Sequence, residues 1–330
     1  MQRYVQRRDY VHDTIVCLVA AAAVLVAPPS HACDYCLLSQ GISPLETQTG
    51  AGLRVGQRYT RLDSVYEGSD EISNPGVKEE YWATDVAGFY TINDRFMLLV
   101  NVPIRKTHGD GELTESPTGE PEREDVSGGA EGLGDVSLVG RYTVYTRHTL
   151  DTTTLVAAVF GIKLPTGSTH QHNNQGEYLD SHLQLGTGST DALLGLSVSH
   201  AAGRFTVSGN MLASFTGDGE TGDMSHQFGD SVNYDVTAKY RISPRTMGRS
   251  PNAWFLSLGV NGEARDHEHL AGERLADSGG TTIYVSPGVQ FVAGSSWVVE
   301  ATYQRAVYHD LNETQLGEDY RIFGNVTYLF

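Results

Sequence analysis

Tyr320-Arg321-Ile322-Phe323-Gly324-Asn325-Val326-Thr327-Tyr328-Leu329-Phe330 closes a sequence of 330 residues, and its reading decides the fold. Successive side chains of an extended strand point to opposite faces, so Tyr320, Ile322, Gly324, Val326, Tyr328 and Phe330 share one face. Arg321, Asn325 and Thr327 share the other, with Phe323 and Leu329 among them. An apolar, aromatic-ended outer face backed by a partly polar inner face suits a wall between lipid and water. An edge strand of a soluble sandwich would alternate in the same way. The rest of the chain decides between the two.

Working outward, the preceding segment 296–307 sets Trp297, Val299, Ala301 and Tyr303 against Glu300, Thr302 and Gln304. Segments 281–293, 253–264, 231–242 and 204–215 repeat the period of two, the third with Val232, Tyr234, Val236 and Tyr240 outward. In 183–199 the glycines Gly186 and Gly188 and Asp191 blur the pattern, which predicts a bulge. It is clear again in 153–164, 134–145, 95–105, 82–92 and 51–62. With the terminal strand this makes twelve. The predicted fold class is all-β, a transmembrane antiparallel β-barrel of about 12 strands over residues 51–330.

Connection lengths test this independently. Those after the odd strands are long: about 63–80, 106–132, 166–182, 216–229, 265–280 and 308–319. Those after the even strands are shorter: Asn93-Asp94, 146–152, 200–203, 243–252 and Gly294-Ser295. Short periplasmic turns alternating with longer external loops over an even strand count is the pattern of an outer-membrane barrel. A sandwich gives no reason for that parity. The longest connection, 106–132, holds Asp110, Glu112, Glu115, Glu120, Glu122, Glu124, Asp125 and Glu131 among glycines and prolines, and reads as a solvated, mobile external loop.

Composition agrees. The 37 glycines and 17 tyrosines fit barrel bends and membrane interfaces, and the formal charge of −17 excludes a nucleic-acid partner. Arg3, Arg7 and Arg8 precede an apolar run from Ile15 to Ala27, too short to span a bilayer as a helix, and Ser30-His31-Ala32 offers small residues for a peptidase. Residues 1–32 therefore read as a removed secretory signal. Residues 33–50 follow as a periplasmic segment, and the address is the outer membrane.

Cys33 and Cys36 form a C-x-x-C pair in an oxidising compartment and read as a disulfide or redox pair. No His follows Cys36, which excludes haem attachment, and with His31 the pair supplies too few ligands for a convincing metal site. His170-x-His172 and His267-x-His269 are the other metal candidates, imidazole pairs in external loops. Charged side chains assigned to the inner face are Arg54, Arg58, Asp85, Asp135, Arg141, Lys163, Asp235, Lys239, Arg241, Glu263, Glu300 and Arg321. They either pair with one another or line a polar conduit that selects cargo. Twelve strands lie between barrels filled by side chains and open porins. No run places a Ser-His pair on the lipid face, no cofactor motif is evident, and an enzyme is not expected.

Three stretches carry a resemblance: Gly132-Leu133-Gly134-Asp135-Val136-Ser137-Leu138-Val139-Gly140-Arg141-Tyr142, Gly161-Ile162-Lys163-Leu164-Pro165-Thr166-Gly167, and Leu185-Gly186-Thr187-Gly188-Ser189-Thr190-Asp191. With Asn101-Val102-Pro103-Ile104, the sequence resembles the outer-membrane transporters of the MetA pathway of phenol degradation over most of 50–330. That resemblance implies a porin-like channel for transport of small organic solutes, with no catalytic residues to carry over. The aromatic ending, Tyr328 and Phe330, resembles the assembly signal of bacterial outer-membrane barrels. Expected partners are thus outer-membrane lipid, the barrel-assembly machinery and a small-molecule solute. The alternative is a structural barrel that anchors a periplasmic redox or metal-handling partner through the Cys33-Cys36 segment.

Overall fold

The computed structural model describes residues 50–116, 120–246 and 251–330. Cys33, Cys36, His31, the secretory signal and the rest of the amino-terminal segment lie outside them. The described chain contains no α-helix. Its twelve wall strands are β1 (Ala51–Glu67), β2 (Lys78–Asn93), β3 (Phe96–Glu115), β4 (Val136–His148), β5 (Thr152–Leu164) and β6 (Asp191–Ala202). β7 (Phe205–Phe215), β8 (Ser231–Ser243), β9 (Ala253–Arg265), β10 (Gly280–Ala293), β11 (Trp297–Leu311) and β12 (Thr314–Leu329) follow. Each pairs antiparallel with its sequence neighbour, and β12 returns to β1 with Val55 opposite Val326 and Tyr59 opposite Ile322. The result is a closed twelve-stranded antiparallel barrel.

The barrel is inside out relative to a soluble protein. Leu53, Val55, Val100, Leu138, Phe160, Leu194, Leu258, Ile322 and Val326 are exposed on its outer face, while Arg54, Asp85, Lys163, Asp235, Glu263 and Arg321 are buried within. A continuous apolar exterior of this size is stable only against lipid. Two aromatic rows bound it. On the long-loop side Tyr59 packs tilted against Trp82 at 4.4 Å and approaches Tyr320 at 6.0 Å, and Tyr303 lies 5.9 Å from Tyr320. On the short-turn side Trp297 meets Tyr328 at 4.7 Å and Trp254 meets Phe291 at 4.4 Å. Tyr320 and Tyr328 are eight residues apart, about 20 Å of height at ordinary strand rise and tilt, close to the apolar band of an outer membrane. The protein sits in the bacterial outer membrane.

Three expectations are corrected. Segment 106–132 is not a mobile loop. β3 runs on to Glu115, and Pro121–Leu133 pairs with its outer half, Ile104 opposite Leu133 and Glu115 opposite Pro121, as a hairpin rising above the wall. Likewise 308–319 is not a long loop, because β11 and β12 extend to a tight turn at Asn312-Glu313. Above the membrane the outer face meets water, so pairing continues while the apolar alternation stops. Finally, the sixth strand begins at Asp191 rather than 183, and Gly186 and Gly188 mark no bulge within it. Residues 165–190 instead fold inward as a strap.

Candidate functional site

The strap is rooted where the quoted motifs meet. After Gly134 the chain bends between the strand Pro121–Leu133 and β4, and Asp135 turns inside. Its carboxylate accepts hydrogen bonds from Gly167 N (2.9 Å), Thr187 N (2.9 Å) and Thr187 Oγ1 (2.9 Å). Thr166 Oγ1 donates to Gly134 O at 2.7 Å and accepts from Val136 N at 2.9 Å. Lys163 Nζ lies 2.5 Å from Asp191 and 3.5 Å from Asp135, and it also donates to Thr187. The two ends of the strap touch here: a Cβ on Gly167 would fall 2.7 Å from Gly186 Cα, so glycine is required by close approach.

From this root the strap crosses into the lumen. Ser181–Leu183 forms one 3-10 turn. Leu179, Leu183 and Leu185 pack with Leu62, Tyr81 and Ala130, and each buried leucine contributes about 1.5–3 kcal/mol. Gln184, only 1 % exposed, staples the strap to itself by donating to Gln171 O and Leu179 O. Thr107 Oγ1 donates to Leu183 O at 2.6 Å, and Arg105 donates to Leu185 O at 3.2 Å. At the tip His182 Nε2 is 2.8 Å from Glu79 Oε1, while Tyr81 OH donates to the other oxygen of Glu79 at 2.5 Å. Burial pulls the His182 imidazolium down, but Glu79, with Asp180 and Glu268 beyond it, outweighs burial and lifts the pKa to about 10.

Glu268 ties the external loops together. It lies 2.8 Å from His226 Nε2, accepts from Ser181 Oγ at 3.4 Å, and its backbone N–H donates to Ser278 Oγ. Burial raises its carboxyl pKa, but His226, Arg265 and His182 outweigh burial and hold it below its ordinary value.

Between strap and wall lies a chamber of about 350 Å³, lined by Leu62, Tyr81 and Leu179 together with Arg58, Lys163, Arg321 and the carboxylates Glu79, Glu268 and Glu318. Arg321 donates to Glu263 at 2.8 Å and to both oxygens of Glu318, and its guanidinium lies 4.5 Å over the Tyr284 ring. Nearer the short turns the lumen narrows. Phe89, Met97, Leu99, Val139, Leu193, Leu212 and Phe323 pack there as an apolar cluster inside the barrel. Phe89 lies across Gly52, whose absent Cβ would fall 2.2 Å from its ring. Beside this cluster a smaller cavity of about 60 Å³ is lined by Arg54, Asp85, Asn101, Val139, Arg141 and Leu212.

The family described as "Putative MetA-pathway of phenol degradation" matches residues 82–317, 236 of the 330. The chain belongs to this family. The MetA-pathway match takes in the strap and its root at Asp135. The COG4313 outer-membrane channel from Pseudomonas putida F1 is similar in structure, with 15% identity and a TM-score of 0.63 over 86% of this chain and 96% of that one. The Ralstonia pickettii toluene transporter TbuX shares 11% identity at a TM-score of 0.39, covering 86% of this chain and 90% of its own. The CymD monoaromatic hydrocarbon channel shares 11% at 0.40, covering 92% and 95%. These last two are too distant to bear on fold or solute. No curated protein matches the sequence.

For this MetA-pathway protein, the charges assigned to the inner face occupy distinct places. Arg54, Arg58, Asp85, Arg141, Lys163, Asp235, Arg241, Glu263 and Arg321 are all buried among the inward side chains. Lys239 and Glu300 face each other at 3.5 Å, Asp235 accepts from Asn210, and Asp135 serves the root of the strap. The histidine pairs do not converge. His170 and His172 both pack on Tyr178, at 5.9 and 4.6 Å, while His267 neighbours Arg274 and Asp266. His269 pairs through its backbone with Gln227 and Arg274. Among the described residues no three His, Cys, Asp or Glu side chains group as a metal ion requires. Tyr328 and Phe330 stack edge to face at 5.1 Å on the outer rim. Sequence reasoning missed Glu79, Glu268 and Glu318, which lay in segments read as loops, and Gln184, which lay in the segment 183–199 read as a strand. The extension of the strands above the membrane was the signal needed to place Glu79 and Glu318.

Proposed function

We propose that the protein is a passive outer-membrane channel for small organic solutes, its lumen narrowed by the strap 165–190. The observation that carries this reading is the pair of cavities along the inside of a closed barrel, one of about 350 Å³ under the strap and one of about 60 Å³ at the apolar cluster. A chamber lined by apolar and ionic side chains together suits a small amphipathic molecule better than a large hydrated one. Family membership in a phenol-degradation pathway and the similarity to an outer-membrane channel support the same reading. Among the described residues nothing resembles a nucleotide-binding loop or a separate plug domain, so movement runs down a gradient.

The test is conductance of the purified protein in planar bilayers, beside a variant in which a short Gly-Ser linker replaces residues 170–182. The wild type should show small events and the variant larger ones. Silence from both would overturn the channel reading and favour a barrel that anchors a periplasmic partner through Cys33 and Cys36.

A further inference from the structure

Around the closing seam of the barrel, the outward side chains between the two aromatic rows are apolar except at one place. Gln57 on β1 is exposed to lipid, one outward step, about 7 Å along the strand, from Tyr59 of the upper row. It stands two such steps from Leu53, which lies opposite Tyr328 of the lower row. Across the ladder Gln57 faces Thr84 on β2, whose Oγ1 donates to Gln57 Oε1 at 2.7 Å. The Gln57 Nε2, which carries two N–H donors, has no partner among the described residues. Hydrocarbon offers none either, so the amide bears a desolvation cost that its own chain does not relieve. On the other side Gln57 lies opposite Gly324, and Gly324 lies opposite Ala301. Rings cover two other outward glycines, Phe160 over Gly140 and Tyr234 over Gly262, whereas a Cβ at Gly324 would meet nothing within 4 Å. A projecting amide thus stands beside a dimple in the wall.

We propose that this face, centred on Gln57 and Gly324, is where two copies of the chain meet in the membrane. Copies of an outer-membrane barrel share one orientation, so a twofold axis between them runs along the membrane normal and brings each side chain to the depth of its own mate. Near that axis the polar group within reach of Gln57 is the other copy's Gln57. An amide is donor and acceptor at once, so each Nε2 donates to the Oε1 of the other, and one isologous contact satisfies both. Gly324 and Ala301 give the room, because each Gln57 projects into the dimple beside the other copy's Gly324. Lipid tails are as apolar as the wall, so association rests on such close packing and hydrogen bonding rather than on burial of apolar area. An acyl chain would fill the dimple but leave the amide without a partner. The inference goes beyond the channel reading and stands without it, since every residue it uses faces away from the lumen.

The experiment mixes donor- and acceptor-labelled pools of the full chain in phospholipid liposomes and follows energy transfer between copies as added lipid dilutes them. The wild type should show transfer that falls with dilution along a monomer–dimer curve. Gln57→Leu should raise the dissociation constant about three- to tenfold, as loss of a hydrogen bond within a bilayer implies, and Gly324→Ile about tenfold or more by filling the dimple. Both variants should leave the single barrel intact, because Leu suits the lipid face and Ile has open space at a strand position. Heat-modifiable migration in detergent electrophoresis verifies that each has folded. Transfer no greater than random proximity gives, at every dilution of the wild type, would overturn the dimer. A dissociation constant unmoved in Gln57→Leu would overturn the amide pairing, and one unmoved in both variants would overturn this face as the contact.

Discussion

The His182 imidazole on the strap sits 2.8 Å from the Glu79 carboxylate on β2, and this contact joins the tip of an inward-folded segment to the barrel wall. With His182 lifted to about 10, the latch is complete below the ordinary histidine value of 6.5 and is lost as pH rises through about 10. The His182 side chain is 42% exposed, so solvent screens the pair and its worth is about 1 kcal/mol or less. Single-channel recordings should show the open fraction rising up to about fivefold as pH climbs through about 10. His182→Ala should show that higher fraction at neutral pH, with the alkaline step gone. A step that persists in the variant would assign it to another group.

The root should behave differently from the tip. Asp135→Ala removes the acceptor of Gly167 N, Thr187 N and Thr187 Oγ1 and leaves Lys163 with Asp191. Breaking a buried, hydrogen-bonded charge cluster costs about 3–5 kcal/mol. Gly186→Ala strains the same place, since its Cβ would fall 2.6 Å from Asp135 Oδ1 and from Gly167 O. Both variants should lower the urea midpoint of unfolding in detergent, whereas His182→Ala should barely move it. A midpoint unchanged in Asp135→Ala would show that the root contributes little.

These two ends of the strap also mark how far the sequence can be read. Strand number and closure were legible because every strand within the membrane has lipid on one side, which imposes strict alternation on Leu53-Arg54-Val55 or Tyr328-Leu329-Phe330 alike. The start of the sixth strand was not. Leu183 and Leu185 alternate because the strap is also extended, and an extended chain alternates wherever one side is buried, with or without a ladder partner. Acidic residues such as Glu112 and Glu124, opposite each other in the raised hairpin, gave no strand signal because their outer face meets water. The inward charges of the wall could be listed from parity alone. Glu318, which pairs with Arg321, and the carboxylates Glu79 and Glu268, which hold His182 and His226, could not, since each lies beyond the segments whose apolar alternation marks them as strands.

Arg321 allows a test of whether the lumen is held by charge. It is 1 % exposed and bonded to Glu263 and Glu318, themselves buried. Arg321→Met should leave two carboxylates facing each other inside the barrel and destabilise it by about 3–5 kcal/mol. Adding Glu263→Gln and Glu318→Gln should restore most of that loss, because neutral amides can bond to one another and to Tyr284. Unfolding midpoints of the single and triple variants decide the matter, and equal midpoints would assign the loss to Arg321 packing on the Tyr284 ring.

Phe330 separates assembly from stability. Its backbone N–H donates to Ala51 O at 2.9 Å across the closing seam, and its ring is exposed on the outer rim against Tyr328. Because the side chain lies at the edge of the apolar band, Phe330→Asp should cost only about 0–1 kcal/mol in the folded barrel. The same variant should nevertheless fail to reach the outer membrane in cells, since the last strand must close on β1 and its aromatic end is the feature that resembles an assembly signal. Refolding from urea into detergent should succeed for wild type and variant with nearly equal midpoints, while outer-membrane levels differ at least tenfold. Loss of refolding in detergent would show that Phe330 acts through packing at the seam. Normal outer-membrane levels would show that it plays no part in assembly.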